Sequence, residues 1–190
     1  MSEKNPWQVL AQRPVYENKW ITLTEYDVIN PNGGKGIYGK VHFKNVAIGI
    51  IVLDEVQDTY LVGQYRFTID EYSWEIPMGG GDADDPLGSA KRELLEETGL
   101  VASQWTQITK LHLSNSVTDE YGYIFLARGL EQRAATPEET EQLVVKKMSF
   151  EAAWQMAQQG AITDAISLVA IQKLKWMISQ GKLDNNQAEA

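Results

Sequence analysis

The stretch DPLGSAKRELLEETGL, from Asp85 to Leu100, combines helix signals with an unusual concentration of negative charge. Glu93 and Glu97 are four residues apart and share one helix face, and Glu96 lies alongside them. Like charges at this spacing destabilise a helix by about 0.2–0.5 kcal/mol. Carboxylates near a helix C-terminus add an unfavourable dipole contribution of about 0.3–1 kcal/mol. The pattern permits two interpretations, a solvated acidic face or a site for a divalent cation, which prefers such hard oxygen ligands.

The boundaries of this helix can be predicted from its own residues. Pro86 suits the first helical turn and Gly99 suits the C-terminal stop. Leu94 lies four residues beyond Ala90, so we expect both to face the core. Arg92 can reach Glu96, whereas no residue of the same helix is expected to neutralise Glu93 and Glu97. The helix is therefore predicted to pack with its acidic edge at a boundary of the domain.

The composition excludes several classes of function. The 190 residues are 43% hydrophobic and include six tryptophans, which is typical of one globular domain. The absence of cysteine excludes disulfides, thiolate metal sites and cysteine nucleophiles. A net charge of −9 without a basic cluster disfavours nucleic acid and anionic membranes as partners. An anionic ligand would therefore need a cation as mediator. No apolar run is long enough for a membrane span, and we expect a soluble, cytoplasmic protein.

Hydrophobic patterns along the chain predict one mixed domain of strands and helices with a strand-rich N-terminal lead-in. The three glycines at 79–81 are interpreted as a loop after a short strand that Pro77 ends. Two amphipathic helices are predicted near the C-terminus, at about 150–158 and 163–179. The predicted strands are Ile21–Ile29, Val46–Leu53, Thr59–Tyr65, Ser73–Pro77, Gln104–Leu113, Tyr121–Arg128 and Gln142–Met148.

The run from Arg92 to Leu100 resembles the second half of the Nudix box, Arg-Glu, two residues, Glu-Glu, one residue, Gly and an aliphatic residue. All of these defining positions match. The first half departs twice: Asp84 replaces its glutamate, and Met78 stands where its opening glycine would fall. If Gly79 takes the part of that glycine, the loop is one residue shorter than usual.

Two further segments resemble one branch of that family, the pyrophosphatases of ADP-ribose and other nucleoside-diphosphate sugars. The first is the strand ending in Gln64-Tyr65-Arg66 with the following Trp74-Glu75-Ile76-Pro77. The second is the polar loop that ends at Glu120. The resemblance implies an α+β Nudix fold, an α/β/α sandwich with a mixed sheet, carrying an N-terminal strand extension. It also implies Mg²⁺, or Mn²⁺, as cofactor.

The resemblance assigns roles to individual residues. Glu93, Glu97, Glu96 and the backbone carbonyl of Met78 are the expected metal ligands, with Glu96 alternatively the partner of Arg92. Glu120 is the candidate general base or an extra metal ligand; an ordinary solvent-facing turn is the alternative for its loop. The catalytic set is thus Glu120, Glu97, Glu96 and Arg92. Arg66, Glu75 and Gly80 are the expected substrate-binding residues, although Arg66 and Glu75 could instead form a structural salt bridge.

The implied activity is Mg²⁺-dependent hydrolysis of a nucleoside diphosphate sugar, giving a nucleoside monophosphate and a sugar phosphate. Two alternatives stay open: a nucleoside triphosphate pyrophosphohydrolase of the mutator type, and a non-catalytic nucleotide sensor. We expect residues 1–45 to form an N-terminal extension, residues 46–181 the Nudix domain and residues 182–190 a frayed tail. By resemblance, the extension predicts a homodimer.

Overall fold

The computed structural model describes residues 4–134 and 142–183. Its contacts divide the chain into two compact units. One unit runs up to Asn45 and also contains His112–Tyr121. The other contains Val46–Leu111 and the chain from Gly122 onward. The loop that carries Glu120 therefore belongs to the same unit as the N-terminal strands.

The N-terminal unit is built on an antiparallel sheet of three strands: β1 (Gln8–Glu17), β2 (Ile21–Ile29) and β3 (Lys35–Phe43). Residue pairs run in register along β2 and β3 from Ile21↔Phe43 to Ile29↔Lys35. Every residue of β1 is exposed. Because β1 lies at the sheet edge, it tolerates Pro14, which cannot donate a ladder hydrogen bond.

The larger unit contains two sheets. A four-stranded mixed sheet has the order β7 (Met78–Gly81), β4 (Val46–Val52), β9 (Tyr121–Gln132) and β8 (Leu100–His112). In it β4 pairs antiparallel with β7 and parallel with β9. A three-stranded antiparallel sheet has the order β10 (Val144–Ser149), β5 (Asp58–Arg66) and β6 (Glu71–Glu75).

Three helices pack against these sheets. The helix α1 (Pro86–Thr98) contacts β4 and β7, α3 (Ala165–Ser179) contacts β4, and α2 (Phe150–Gln158) contacts β5, β10 and α3. Ala90 and Leu94 of α1 are fully buried, as the helical spacing predicted. The core is aliphatic, and the side chains that are wholly excluded from solvent include Ile48, Ile50, Ile51, Leu61, Ile124 and Leu174.

The prediction of an α+β Nudix fold is confirmed, but one element of the sequence interpretation is wrong. The glycines at 79–81 form a strand and not a loop, because their backbone pairs with β4 through Ile48↔Gly79, Ala47↔Gly80 and Val46↔Gly81. A side chain would be obstructed at both ends of this run, by Glu93 at Gly79 and by Ile48 at Gly81. The glycines thus permit a close-packed strand instead of interrupting one.

Smaller differences concern element boundaries. The strand predicted from Gln104 begins at Leu100, directly after α1. The last helix begins at Ala165, because Asp164 caps it. The sequence also predicted a frayed tail for residues 182–190, of which 184–190 lie outside the described residues. Among the residues described, no helix is long and apolar enough to cross a membrane.

Candidate active site

The helix α1 is fixed at both ends by local interactions. The side chain of Asp85 accepts a hydrogen bond from the Gly88 backbone N–H at 2.8 Å. Such a cap satisfies a donor that the helix leaves without a partner in its first turn. At the other end Gly99 adopts a left-handed conformation with φ of 71°, and its N–H donates to the Leu95 carbonyl. The phase of the three glutamates on the helix is therefore fixed by its own sequence.

Two of these glutamates are buried. Glu93 is 9% exposed and Glu97 is 4% exposed, which is unusual for carboxylates. The Met78 N–H donates to Oε2 of Glu97 at 3.0 Å. The carboxylate of Glu93 lies against Gly79, in the space that a Cβ of residue 79 would fill. The helix thus presents its acidic edge to the strand Met78–Gly81, and the solvated acidic face is excluded for these two residues.

Arg92 joins the helix to the same strand. Its guanidinium donates to Glu93 at 2.7 Å, to Glu96 at 2.7 Å and to the Gly80 carbonyl at 2.9 Å. Burial opposes the charge of Arg92, but the negative charges of Glu93 and Glu96 outweigh this effect and raise the pKa of its guanidinium. The expectation that nothing local neutralises Glu93 is therefore wrong. Of the two roles left open for Glu96, the contact with Arg92 is observed.

Arg66 and Glu75 form a second charged group in this unit. The Arg66 Nε donates to Glu75 at 2.9 and 3.2 Å, and a terminal guanidinium nitrogen also bonds that carboxylate. The Glu75 side chain is 3% exposed, whereas that of Arg66 is 37% exposed. The hydrogen bond with Glu75 raises the pKa of Arg66, and the charges of Asp164 and Glu97 raise it further. The structural salt bridge considered from the sequence is thus present.

Asp164, the N-cap of α3, and Ser167 in the first turn of that helix belong to this site and were missed by the sequence analysis. Asp164 caps α3 by accepting from the Ser167 N–H at 2.7 Å. The Ser167 hydroxyl is fully buried and accepts from the Ile76 N–H at 3.0 Å. Ile76 lies between Glu75 and Met78, so Ser167 ties the start of α3 to the segment that carries both charged groups. The sequence indicates that Asp164 can cap a helix, but it does not indicate that Asp164 lies close enough to Arg66 to affect its pKa.

Glu120 belongs to the N-terminal unit and is half-buried. Its N–H donates to the Thr118 hydroxyl at 3.3 Å. Within residues 4–134 and 142–183, no hydrogen bond or ion pair engages its carboxylate. Burial raises the pKa of this carboxyl above its usual value. Its catalytic role stays a prediction, whereas the neighbouring Asp119 is engaged with Lys40 and His42.

The acidic edge of α1 fits a divalent metal ion by its chemistry. Glu93, Glu96 and Glu97 offer carboxylate oxygens, which are the donors that Mg²⁺ and Mn²⁺ prefer. Because Gly79 lacks a side chain, the Glu93 carboxylate has room beside the strand that contains Met78 and Gly80. In the described part of the chain, no three His, Cys, Asp or Glu side chains are already arranged as a metal-binding group.

Comparison with known proteins identifies the family to which this fold belongs. The NUDIX domain family matches residues 43–168, and a nucleoside diphosphate sugar hydrolase N-terminal domain matches residues 7–41. The chain therefore belongs to the Nudix family. The predictions of the family and of an enzyme of the Nudix hydrolase class are confirmed. Nudix hydrolases generally use a divalent metal ion.

Individual relatives resemble the chain over most of its length. An ADP-ribose pyrophosphatase of Bacillus subtilis is 29% identical, in an alignment that covers 88% of this chain and 92% of the relative. A CMP-5'-(N-acetyl-N-hydroxy-3-aminopropyl)phosphonate hydrolase of Streptomyces rubellomurinus is also 29% identical, over 87% of this chain and 82% of its own. A crystal structure of an ADP compounds hydrolase has a TM-score of 0.80 and 19% identity, covering 96% of this chain and 100% of that one. The structural likeness supports the fold.

Proposed function

We propose that this Nudix enzyme hydrolyses the pyrophosphate bond of a nucleoside diphosphate sugar, ADP-ribose or a similar compound, in a Mg²⁺-dependent reaction. The products would be a nucleoside monophosphate and a sugar phosphate. The observation that carries the proposal is the pair of buried carboxylates, Glu93 and Glu97, held against the strand Met78–Gly81. Burying negative charge is costly unless a partner compensates it. Here Arg92 and the Met78 N–H are among the partners, and they hold the two carboxylates in place as candidate ligands for a divalent cation.

Glu93 and Glu97 would hold the metal, with Glu96 and the Met78 carbonyl as the further predicted ligands. Bound Mg²⁺ supplies neutralisation of the negative charge on the pyrophosphate. Arg92 orients Glu93 and Glu96 through its two carboxylate contacts, and its bond to Gly80 holds this arrangement on the strand. This network limits the number of side-chain conformations that must be ordered when substrate binds.

Arg66 is proposed to bind a phosphate oxygen. Glu75 engages its Nε and one terminal nitrogen and thereby fixes the plane of the guanidinium fork, which suits bidentate recognition of oxyanions. Glu120 is proposed to accept the proton of the attacking water. The new bond joins the water oxygen to one phosphorus atom, and the bridging P–O bond breaks, so the bridging oxygen leaves with the other phosphate. A carboxyl with a raised pKa is a better proton acceptor than an ordinary one.

The choice of a nucleoside diphosphate sugar is supported by two observations. The N-terminal strands match a domain described for nucleoside diphosphate sugar hydrolases. The chain also aligns along most of its length with an ADP-ribose pyrophosphatase. The related phosphonate hydrolase is named for a substrate in which CMP carries a phosphonate group. The base and the sugar are therefore determined by the substrate panel described next.

The proposal is tested by incubating the protein with ADP-ribose, GDP-mannose, UDP-glucose and the common nucleoside triphosphates, with Mg²⁺, with Mn²⁺ and with a chelator. We expect monophosphate release from a sugar nucleotide that depends on the metal. Glu97→Gln should reduce kcat by at least about 100-fold, which is typical when a site's charge is removed from the transition state. Glu55→Gln, at an exposed turn position, is the matched control and should be neutral.

The other outcomes have defined meanings. Much faster cleavage of triphosphates would assign the mutator-type activity instead. Nucleotide binding without turnover of any substrate would indicate a sensor. Full activity in Glu97→Gln would place the metal elsewhere.

We also propose a homodimer that uses the N-terminal sheet. Its support is the apolar surface of β1 to β3, where six large apolar side chains are more than half exposed: Val9, Leu10, Val15, Tyr16, Trp20 and Ile37. Apolar surface of this extent is typical of an interaction site. The cytoplasmic location stays a prediction.

A further inference from the structure

The loop before Glu120 is bound along its length to strand β3. The Val41 N–H donates to the Val117 carbonyl at 3.0 Å, and the Asp119 N–H donates to the Val41 carbonyl at 3.2 Å. Thr118 forms a parallel bridge with Val41. The loop thus extends the N-terminal sheet by one short segment, instead of being held only by its own turn.

Side chains reinforce this backbone pairing at the end nearest Glu120. The Asp119 carboxylate accepts from Lys40 Nζ at 3.0 Å, from His42 Nδ1 at 2.9 Å and from the Phe43 N–H at 3.3 Å. Lys40 and His42 are two positions apart on a strand, so they lie on the same face and can reach one carboxylate. Hydrogen bonds to charged groups are stronger than neutral ones.

A further contact fixes the opposite end of the loop. The Tyr38 hydroxyl donates to the Ser116 carbonyl at 2.6 Å. Within the loop, the Val117 and Thr118 N–H groups both donate to the Ser114 carbonyl at 2.9 Å. The backbone on the N-terminal side of Glu120 is therefore held at several points, although a polar surface loop of this composition would ordinarily be mobile.

Glu120 itself contributes little to this anchoring. Its carboxylate has no hydrogen-bond or ion-pair partner in the described parts of the chain, and it is half-buried. A loop that is tightly bound up to residue 119 and then carries an uncommitted carboxylate is typical of a functional group positioned by its neighbours.

We propose that strand β3 of the N-terminal extension positions Glu120 for catalysis. Asp119 is the positioning residue, because its carboxylate binds the loop to β3. The inference rests on the proposed function, since it assigns Glu120 the role of proton acceptor. It gives the N-terminal strands a part in the reaction, in addition to any part in assembly. Asp119 acts through Glu120 and does not itself contact substrate.

The proposal is tested with Asp119→Ala, Asp119→Asn, Glu120→Gln and the double variant Asp119→Ala/Glu120→Gln in the full chain. Lys35→Met, at the exposed start of β3, is the control for removal of a charge from the N-terminal unit. Two quantities are measured: hydrogen exchange of the amides of residues 114–120, and kcat and KM for the sugar nucleotide that the wild-type protein cleaves best.

We expect Asp119→Ala to accelerate exchange in the loop at least about tenfold and to reduce kcat at least about tenfold, with KM changed less than about threefold. For both exchange and kcat, Asp119→Asn should lie between the wild type and Asp119→Ala, because the asparagine keeps one oxygen that can accept from the Phe43 N–H. In the Glu120→Gln background, Asp119→Ala should change kcat less than about twofold, since a residue that acts only through Glu120 has nothing left to position. Lys35→Met should alter neither quantity.

Several results would overturn the inference. Unchanged loop exchange in Asp119→Ala would show that the contacts with β3 do not hold the loop. Equal losses of kcat in both backgrounds would show a general structural role. Full activity in Glu120→Gln would remove both its catalytic role and this inference, while leaving the hydrolase proposal intact. If the wild-type protein cleaves no sugar nucleotide, the proposed function fails and the positioning role fails with it. The exchange measurement then reports only the anchoring.

Discussion

The acidic edge of α1 and the N-terminal sheet depart from ordinary burial in opposite directions. At α1, Glu93 and Glu97 are 9% and 4% exposed. On the N-terminal sheet, Trp20 and Ile37 are 58% and 68% exposed. Folding alone favours neither arrangement, because buried charge loses its hydration and exposed apolar surface orders water. We propose a cation as the ligand of the first region and an apolar protein surface as the partner of the second.

The two regions also differ in how their residues are held. At α1 the positions of the glutamates are set by helical spacing, capping and the absence of a side chain at Gly79. On the N-terminal unit the catalytic candidate Glu120 is positioned by pairing between segments that are distant in sequence. The substitutions below separate the two kinds of control, from the largest expected effect to the smallest.

Gly79→Ala tests the close approach of strand and helix. An added Cβ would lie 2.2 Å from the carboxyl carbon of Glu93, so that this carboxylate must move. Overpacking of this kind costs about 1–3 kcal/mol. Displacing Glu93 from its proposed place as a metal ligand should reduce the rate about 100-fold. Both the free energy of unfolding, from urea titration, and kcat are measured. Gly36→Ala on β3 is the matched control, since nothing lies within 4 Å of its added Cβ. A neutral Gly79→Ala would contradict the described packing.

Ser167→Ala tests the link between α3 and the site. The substitution leaves the buried Ile76 N–H without its partner, which costs about 1–3 kcal/mol in the free energy of unfolding. Ser103→Ala is the control, because the Ser103 hydroxyl bonds a carbonyl at an exposed position and its loss should cost less. If the two substitutions reduced the free energy of unfolding equally in urea titrations, the buried hydrogen bond would stabilise the fold no more than the exposed one.

Ile37→Ser tests the exposed apolar surface of the N-terminal sheet. If Ile37 is buried between subunits, its loss removes about 1.5–3 kcal/mol of apolar burial, which raises the dimer Kd at least about tenfold. Sedimentation equilibrium measures the change. Val56→Ser is the control in the other unit, since Val56 is 73% exposed in a turn. Association that is unaffected by Ile37→Ser would exclude this surface from the interface.

Lys147→Met removes an ordinary ion pair at the surface of the larger unit, so we expect it to have the smallest effect on the free energy of unfolding. Lys147 lies 2.8 Å from Asp54 and 3.4 Å from Asp58, and the hydrogen bond with Asp54 raises the pKa of its ammonium group to about 12. A raised pKa stabilises the folded state below the usual value of 10.5, and this stabilisation is lost as the pH rises towards 12. The small difference in unfolding free energy between wild type and variant should therefore shrink across that interval. A difference independent of pH would exclude the ion pair as its cause.

The sequence predicted most where the determining interactions are local. The limits of α1 followed from Pro86 and Gly99, and the burial of Ala90 and Leu94 followed from their spacing. The shared face of Glu93 and Glu97 followed in the same way. These features depend on residues within one or two turns, so the chain itself displays the pattern.

Prediction failed where the partner is distant in the chain. The glycines at 79–81 were interpreted as a loop, because their pairing with β4 cannot be recognised from their own composition. Ser167 and Ile76 are 91 residues apart, and Lys40 and Asp119 are 79 apart. No local pattern distinguishes such a serine or aspartate from an ordinary polar residue.

The sequence by itself determined the family, the acidic helix and the hard-oxygen chemistry of its candidate metal site, because helical periodicity converts spacing directly into a shared face. Only the tertiary structure decided that two of the glutamates are buried against a glycine strand, that Arg66 is engaged by Glu75, and that the loop before Glu120 is bound to β3. These features arise from strand pairing and packing between distant segments, which are selected by the free energy of the whole fold and not by any one stretch of the chain.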